Sequence, residues 1–191
     1  MAAPSPRDGQ PVKMSKRAGT FVTLADVVRE VGKDVVRFTM LTRKPEAQMD
    51  FDFAKVVEAS KDNPVFYVQY AHARVCSTLQ KGAEAGFAPS DAHLGLLGEE
   101  EMELVKQAAQ FPRQVEAAAR AREPHRIAFF LNDLAAAFHA YWNIGNDRLD
   151  KRFVVAENAD LSGARLYLAE RIGQVIRNGL GILGVEAAEQ L

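Results

Sequence analysis

From Asn63 to Gly184 the apolar residues recur every three to four positions with few breakers, and only a set of helices can bury such a pattern. Asn63-Pro64 is a start signal, with Asn as the N-cap and Pro at the first helical position, where its missing N–H is not needed. The helix it opens is predicted to run to about Ala85. Residues 86–98 read as a loop holding at most a turn of helix, and Glu99 to about Arg122 as one long helix. Pro124 opens another helix that runs to about Trp142, residues 144–160 read as irregular, and a last helix runs from about Ser162 to Leu183, closed by Gly184. Long helices with short connections make an all-α bundle.

Upstream the pattern changes. Residues 1–20 are rich in Pro, Gly, Ser and Lys, carry no hydrophobic period, and read as a mobile loop. Residues 21–60 read as a linking segment before the helical domain of residues 61–191. Within it, Thr23 caps a short helix stopped by Gly32, and a second runs from about Asp34 to Leu41 with Val35, Val36, Phe38 and Leu41 facing inward. Lys44-Pro45 breaks that helix, and Gln48 to Phe53 alternates polar and apolar residues like a short extended segment.

Composition narrows the function classes. The chain is 48% hydrophobic and 26% charged with a net charge of −1, so any contact with nucleic acid depends on a local patch rather than a global field. The single cysteine, Cys76, excludes an internal disulfide and a multi-cysteine metal site, and the expected setting is reducing and cytoplasmic. No apolar run reaches the roughly 20 residues that span a bilayer, and residues 1–12 hold no apolar stretch of the signal-peptide kind. The four histidines, His72, His93, His125 and His139, are not spaced as a metal pair, so no metal site is expected, and none stands beside a Ser or Cys nucleophile. There is no Gly-rich phosphate loop. By itself the chain holds no complete active site.

Two features carry chemistry. Val12-Lys13-Met14-Ser15-Lys16-Arg17-Ala18-Gly19-Thr20 places three cations within five residues, beside a small residue and a glycine that let backbone approach a ligand. Such a loop suits developing negative charge on phosphates, and it also suits plain solvation. The second feature is the helix opened at Asn63. With Tyr67 set to zero and 100° per residue, Val65, Val68, His72, Val75, Cys76 and Leu79 fall between about 80° and 180°, a core stripe. Tyr67, Tyr70, Arg74, Thr78 and Lys81 fall between about −60° and +20°, on the outward side. Flat rings beside cations match what unstacked RNA bases and phosphates need. Packing of both tyrosines against a neighbouring helix is the alternative. Tyr141 and Trp142, at the end of the Pro124 helix, and His139 before them either line the same surface or cap the bundle. In the last helix Leu168, Ile172, Val175, Ile176, Leu180 and Leu183 form the buried stripe, and Arg171, Gln174, Arg177 and Asn178 read as a solvated side.

Lys13-Met14-Ser15-Lys16 resembles the second signature of class I aminoacyl-tRNA synthetases. The resemblance extends through Gly19 to Asp26, Asp34 to Phe38 and Met49 to Phe53, a pattern that cysteinyl enzymes share. Asn63-Pro64-Val65-Phe66-Tyr67-Val68-Gln69-Tyr70-Ala71-His72-Ala73-Arg74 is similar to the opening of the anticodon-binding domain of the arginyl-tRNA synthetase family, and Ile176 to Val185 to that family's last helix. The Asp-Ala-Leu-Arg string that names the domain is absent, Gly163-Ala164-Arg165-Leu166 being the nearest stretch, and so are the His-x-Gly-His signature and the N-terminal additional domain. The chain is therefore expected to begin late in a longer enzyme and to be inactive alone.

What the resemblance implies is a ligase that attaches arginine to its tRNA through an aminoacyl-adenylate, with Mg2+-bound ATP as co-substrate and tRNA needed for activation. Lys13, Met14, Ser15 and Lys16 would close over ATP, with Lys16 stabilising the departing pyrophosphate and Lys13 beside it. Residues 21–60 would touch the tRNA stem. Tyr67, Tyr70 and Arg74 would lie near the anticodon loop, with Lys81, Tyr141 and Trp142 as further contacts. A monomer is expected. A noncatalytic tRNA-binding module and a cysteinyl enzyme are the rivals, disfavoured by the lysine loop and by the Tyr67–Arg74 run respectively.

Overall fold

The computed structural model describes residues 23–44 and 63–191. The lysine loop with Lys13, Met14, Ser15 and Lys16, the break at Pro45 and the extended reading of Gln48 to Phe53 lie outside the described residues. Among the described residues every regular element is helical, and no helix is long and apolar enough to cross a membrane.

Two short helices come first, α1 (Leu24–Val31) and α2 (Lys33–Leu41). Thr23 and Asp26 cap α1 reciprocally: the Thr23 hydroxyl accepts from the Asp26 N–H and the Asp26 carboxylate accepts from the Thr23 N–H, both at 3.1 Å. Gly32, at φ 86°, ends α1 and starts α2, a backbone setting that favours glycine. Val27, Val31 and Val36 pack together, while Phe38 is fully buried in the main core. Val35 and Leu41 pack at its edge.

The bundle follows. Helix α3 spans Pro64–Glu84, with the Asn63 side chain accepting from the Phe66 N–H at 3.4 Å. A 3-10 turn at Leu94–Leu96 leads to α4 (Glu99–Ala108) and α5 (Phe111–Ala121). These two replace the single helix predicted over 99–122. Pro112 has no N–H to give to residue 108 and its ring crowds that carbonyl, so the chain breaks and restarts with Pro112 in the first turn of α5. Arg122, in the left-handed region at φ 56°, ends α5.

Helix α6 runs His125–Asp147, five residues past the predicted end at Trp142. Asn143, Gly145, Asn146 and Asp147 are poor helix formers, but Gly145 is buried against the following loop, and tertiary contact overrides propensity. After a 3-10 turn at Leu149–Lys151, α7 spans Ala159–Leu183. Its cap is Asn158, which accepts from the Leu161 N–H at 3.0 Å, so the helix starts three residues before the predicted Ser162. Gly184, left-handed at φ 68°, closes it as predicted, and Arg37 of α2 donates to the Leu183 carbonyl there.

Helices α3, α6 and α7 enclose the core, in which Val68, Leu131, Leu134, Phe138, Ile172, Ile176 and Leu180 are completely buried. Glycines bring the helices close: a Cβ on Gly173 would lie 2.8 Å from Val75 Cγ1. The tail after Gly184 returns across α3. Gln69 donates to the Glu186 carbonyl at 2.9 Å, and His72, 1% exposed, places Nδ1 2.9 Å from the Ala188 carbonyl. A carbonyl only accepts, so that nitrogen carries the proton.

Candidate nucleic-acid interface

One face of α3 and the middle of α6 meet in a cluster of aromatic and cationic side chains. Arg74 is its centre. The guanidinium carbon sits 4.3 Å from the Tyr70 ring centroid and 5.1 Å from that of Trp142. One terminal nitrogen donates to the Tyr70 hydroxyl at 3.1 Å and the other to His139 Nδ1 at 2.9 Å. Tyr70 also stacks on Phe66, at 5.8 Å between centroids and 18° between planes. The one-turn spacing of Phe66, Tyr70 and Arg74 on α3 lines them up along one edge.

His139 holds the cluster from beneath. Its Nε2 lies 3.2 Å from the Tyr67 carbonyl and must donate, which leaves Nδ1 bare to accept from Arg74. The ring is therefore neutral. Burial pushes its pKa below the ordinary histidine value, partly offset by the bond to the Tyr67 carbonyl and reinforced by the Arg74 charge. Its ring lies 4.5 Å from Tyr67 and 5.4 Å from Tyr70.

The two tyrosines differ. Tyr70 is 37% exposed. Tyr67 is half-buried and packs on the core, so the packing alternative describes it in large part. Thr78, placed outward by the helical projection, is buried, and its hydroxyl donates to the Arg74 carbonyl at 2.8 Å. A projection of one helix cannot register what the rest of the fold packs against it. Lys81 is exposed and borders a cavity of about 330 Å³ with Thr78, Trp142, Asn146 and Arg152.

Trp142 and Tyr141, paired in the sequence reading, part company, because adjacent helical residues point about 100° apart. Trp142 is half-buried beneath Arg74 and beside the cavity. Tyr141 is 3% exposed, and its hydroxyl donates to Glu101 at 2.7 Å in the interior. Burial, with that bond, raises its pKa far above the ordinary phenol value. Tyr141 is a core residue and does not reach the surface that Arg74 and Trp142 form. Lys151 and Arg152 also line the cavity. Their signal, two cations followed by an aromatic within a segment read as irregular, is too short to carry an assignment alone.

The profile of the DALR anticodon binding domain matches residues 68–191, which include Tyr70, Arg74, His139 and Trp142. The chain belongs to this family. The chain is also 76% identical over 185 residues to an arginine–tRNA ligase of Novosphingobium aromaticivorans, covering 97% of this chain and 32% of that protein. A solved arginyl-tRNA synthetase from Thermus thermophilus is 29% identical, with a TM-score of 0.72 over 92% of this chain and 29% of its own. An arginine–tRNA ligase of Ruegeria pomeroyi is 56% identical over 191 residues, covering 97% of this chain and 33% of that protein. The chain thus spans about a third of the length of the curated relatives it matches.

The stretch nearest the domain's namesake string, residues 163–166, lies in the first turns of α7. Arg165 there is 3% exposed and forms an ion pair with the completely buried Glu101 at 2.6 Å, so this part of the DALR domain is interior.

Proposed function

We propose that this DALR domain holds the anticodon arm of arginine tRNA for an arginine–tRNA ligase. The observation that carries the reading is the Tyr70–Arg74–Trp142 group: two aromatic rings gathered at a guanidinium on a partly open surface, in a chain closely similar to proteins named arginine–tRNA ligase. Unstacked anticodon bases stack on such rings and on the guanidinium plane, at about 1–3 kcal/mol per base. His139, neutral and fixed by its two hydrogen bonds, orients Arg74 from below. Lys81 supplies a cation for the phosphate chain beside the cavity.

In the whole ligase, arginine would react with ATP to give an adenylate and pyrophosphate, and the arginyl group would pass to the tRNA. The Lys13–Lys16 loop would stabilise the charge on the departing pyrophosphate. Mg2+ would enter with ATP; among the described residues no three His, Cys, Asp or Glu side chains converge to hold a metal. The setting we propose is cytoplasmic and monomeric.

Trp142 is the single tryptophan, so its fluorescence reports directly on the surface. Titrating the chain with an anticodon stem-loop of arginine tRNA should quench it, and a cysteine-tRNA stem-loop should bind at least about tenfold more weakly, the cost of about one lost base contact. Equal affinity for both RNAs, or no change in Trp142 emission on binding, would sink the reading.

A further inference from the structure

Residues 148–155, between α6 and α7, are tied to three helices: Lys151 donates to Glu100 of α4 at 2.6 Å, Arg152 Nε donates to the Gly145 carbonyl of α6 at 3.1 Å, and α7 supplies the rest. Arg165 of α7 donates to two of the loop's carbonyls, Asp150 at 2.6 Å and Arg152 at 2.8 Å. The rest of its fork pairs with Glu101 of α4, at 2.8 Å from Nε and 2.6 Å from the second terminal nitrogen. Glu101 in turn accepts from the Tyr141 hydroxyl at 2.7 Å and, through its other oxygen, from the Gly98 N–H at 3.1 Å. Ser162 accepts from the Val155 N–H at 2.8 Å and donates to the Val155 carbonyl at 2.9 Å. Against α6 the loop lies so close to Gly145 that a Cβ there would be 3.3 Å from both Arg152 Cα and the Lys151 carbonyl oxygen.

Burying an ion pair seldom adds net stability, since apolar residues of equal volume do as well. What this pair adds is geometry. An apolar side chain at position 165 could not fix two backbone carbonyls, and a lysine head lacks the planar fork that reaches both while keeping Glu101. The loop so fixed seats Phe153 5.6 Å from Phe138 and 6.2 Å from Trp142, and lays Lys151 and Arg152 along the cavity beside Trp142. We infer that the Arg165–Glu101 pair is a positioning device for RNA binding, setting the 148–155 loop so that Arg152 and Trp142 together face one nucleotide of the bound strand. The inference rests on the function proposed above.

Two variants displace the loop by unrelated means. Arg165→Lys keeps the charge against Glu101 and loses the fork. Gly145→Ala leaves the ion pair untouched and pushes the loop from the α6 side, while favouring the helix itself. Each is compared with the wild-type chain by thermal unfolding, by acrylamide quenching of Trp142 without RNA, and by titration with the arginine-tRNA anticodon stem-loop at several salt concentrations, well below its melting temperature. Both variants should bind about tenfold more weakly, with a salt slope shallower by about 0.7 for one lost phosphate contact. Trp142 should be more open to acrylamide in both. Lowered melting temperatures with wild-type affinity and slope would overturn the inference and leave the proposed function standing. No binding by the wild-type chain would overturn both. If Arg165→Lys does not fold, Gly145→Ala alone decides.

Discussion

Tyr70→Ala and Tyr67→Ala should fail in different ways, because the same helix presents one ring to solvent and turns the other toward the core. Tyr70 is 37% exposed, and its ties are a guanidinium 4.3 Å above the ring, one hydrogen bond from Arg74, and ring contacts with Phe66 and His139. A partly exposed cation–π contact is worth about 0.5–1 kcal/mol, an exposed hydrogen bond about 0.5 kcal/mol, and each aromatic pair at this exposed edge about 0.5 kcal/mol. Truncation should therefore cost about 2–2.5 kcal/mol, or about 4–10 °C in melting temperature for a chain of this size. If the ring stacks on a base, binding of the arginine-tRNA anticodon stem-loop should weaken by about 1–3 kcal/mol, roughly 5- to 150-fold. Tyr67 is half-buried against the core, with His139 at 4.5 Å. Removing about half of a buried aromatic's contribution should cost about 2 kcal/mol, or about 4–8 °C, with affinity per folded molecule changing less than at Tyr70. Affinities should be taken from titration midpoints, since Tyr70→Ala also alters the surroundings of Trp142 through Arg74. Equal losses of affinity in the two variants, or a Tyr70→Ala protein that binds like wild type, would refute the division of roles drawn from their burial.

The depressed pKa of His139 sets a pH dependence. Stability from its neutral form is fully present above the unfolded-state value of about 6.5 and is lost as pH falls through the lower folded value. Melting temperatures between pH 7.5 and 5 should fall more steeply for wild type than for His139→Asn, about the range in which histidine titrates; parallel curves would count against the neutral, Arg74-accepting ring. Gly173→Val should destabilise the domain by at least about 2 kcal/mol in urea unfolding, since even a Cβ there would lie 2.8 Å from the rigid, buried Val75. In a full-length ligase carrying this chain, Lys16→Ala should slow arginine activation by about a hundred- to a thousandfold and leave tRNA affinity nearly unchanged; a single-turnover rate within about threefold of wild type would remove the loop from the chemistry.

Local signals were enough for most of the helices. The Asn63-Pro64 start, the Thr23 cap, the Gly32 junction and the Gly184 stop each act within a few residues, and each stands where the sequence puts it. Pro112 is a local signal of the same kind, and it divides residues 99–121 into two helices where the apolar period alone predicts one. On α3 the period placed Tyr70 and Arg74 away from the core stripe because helical faces follow from residue spacing alone. The rest needed the fold. Whether Tyr141 or Trp142 reaches the surface depends on which side of α6 meets α4, and no property of the Tyr-Trp pair records that. Thr78 is buried although the period of its own helix turns it outward. Nothing in the sequence pairs Glu101 with Arg165; the packing of α4 on α7 brings them together across a sequence separation of 64 residues, deep enough to exclude water. A period reports only a helix's own faces. What covers each face is settled by long-range packing, and with it which rings and charges remain free to meet a ligand.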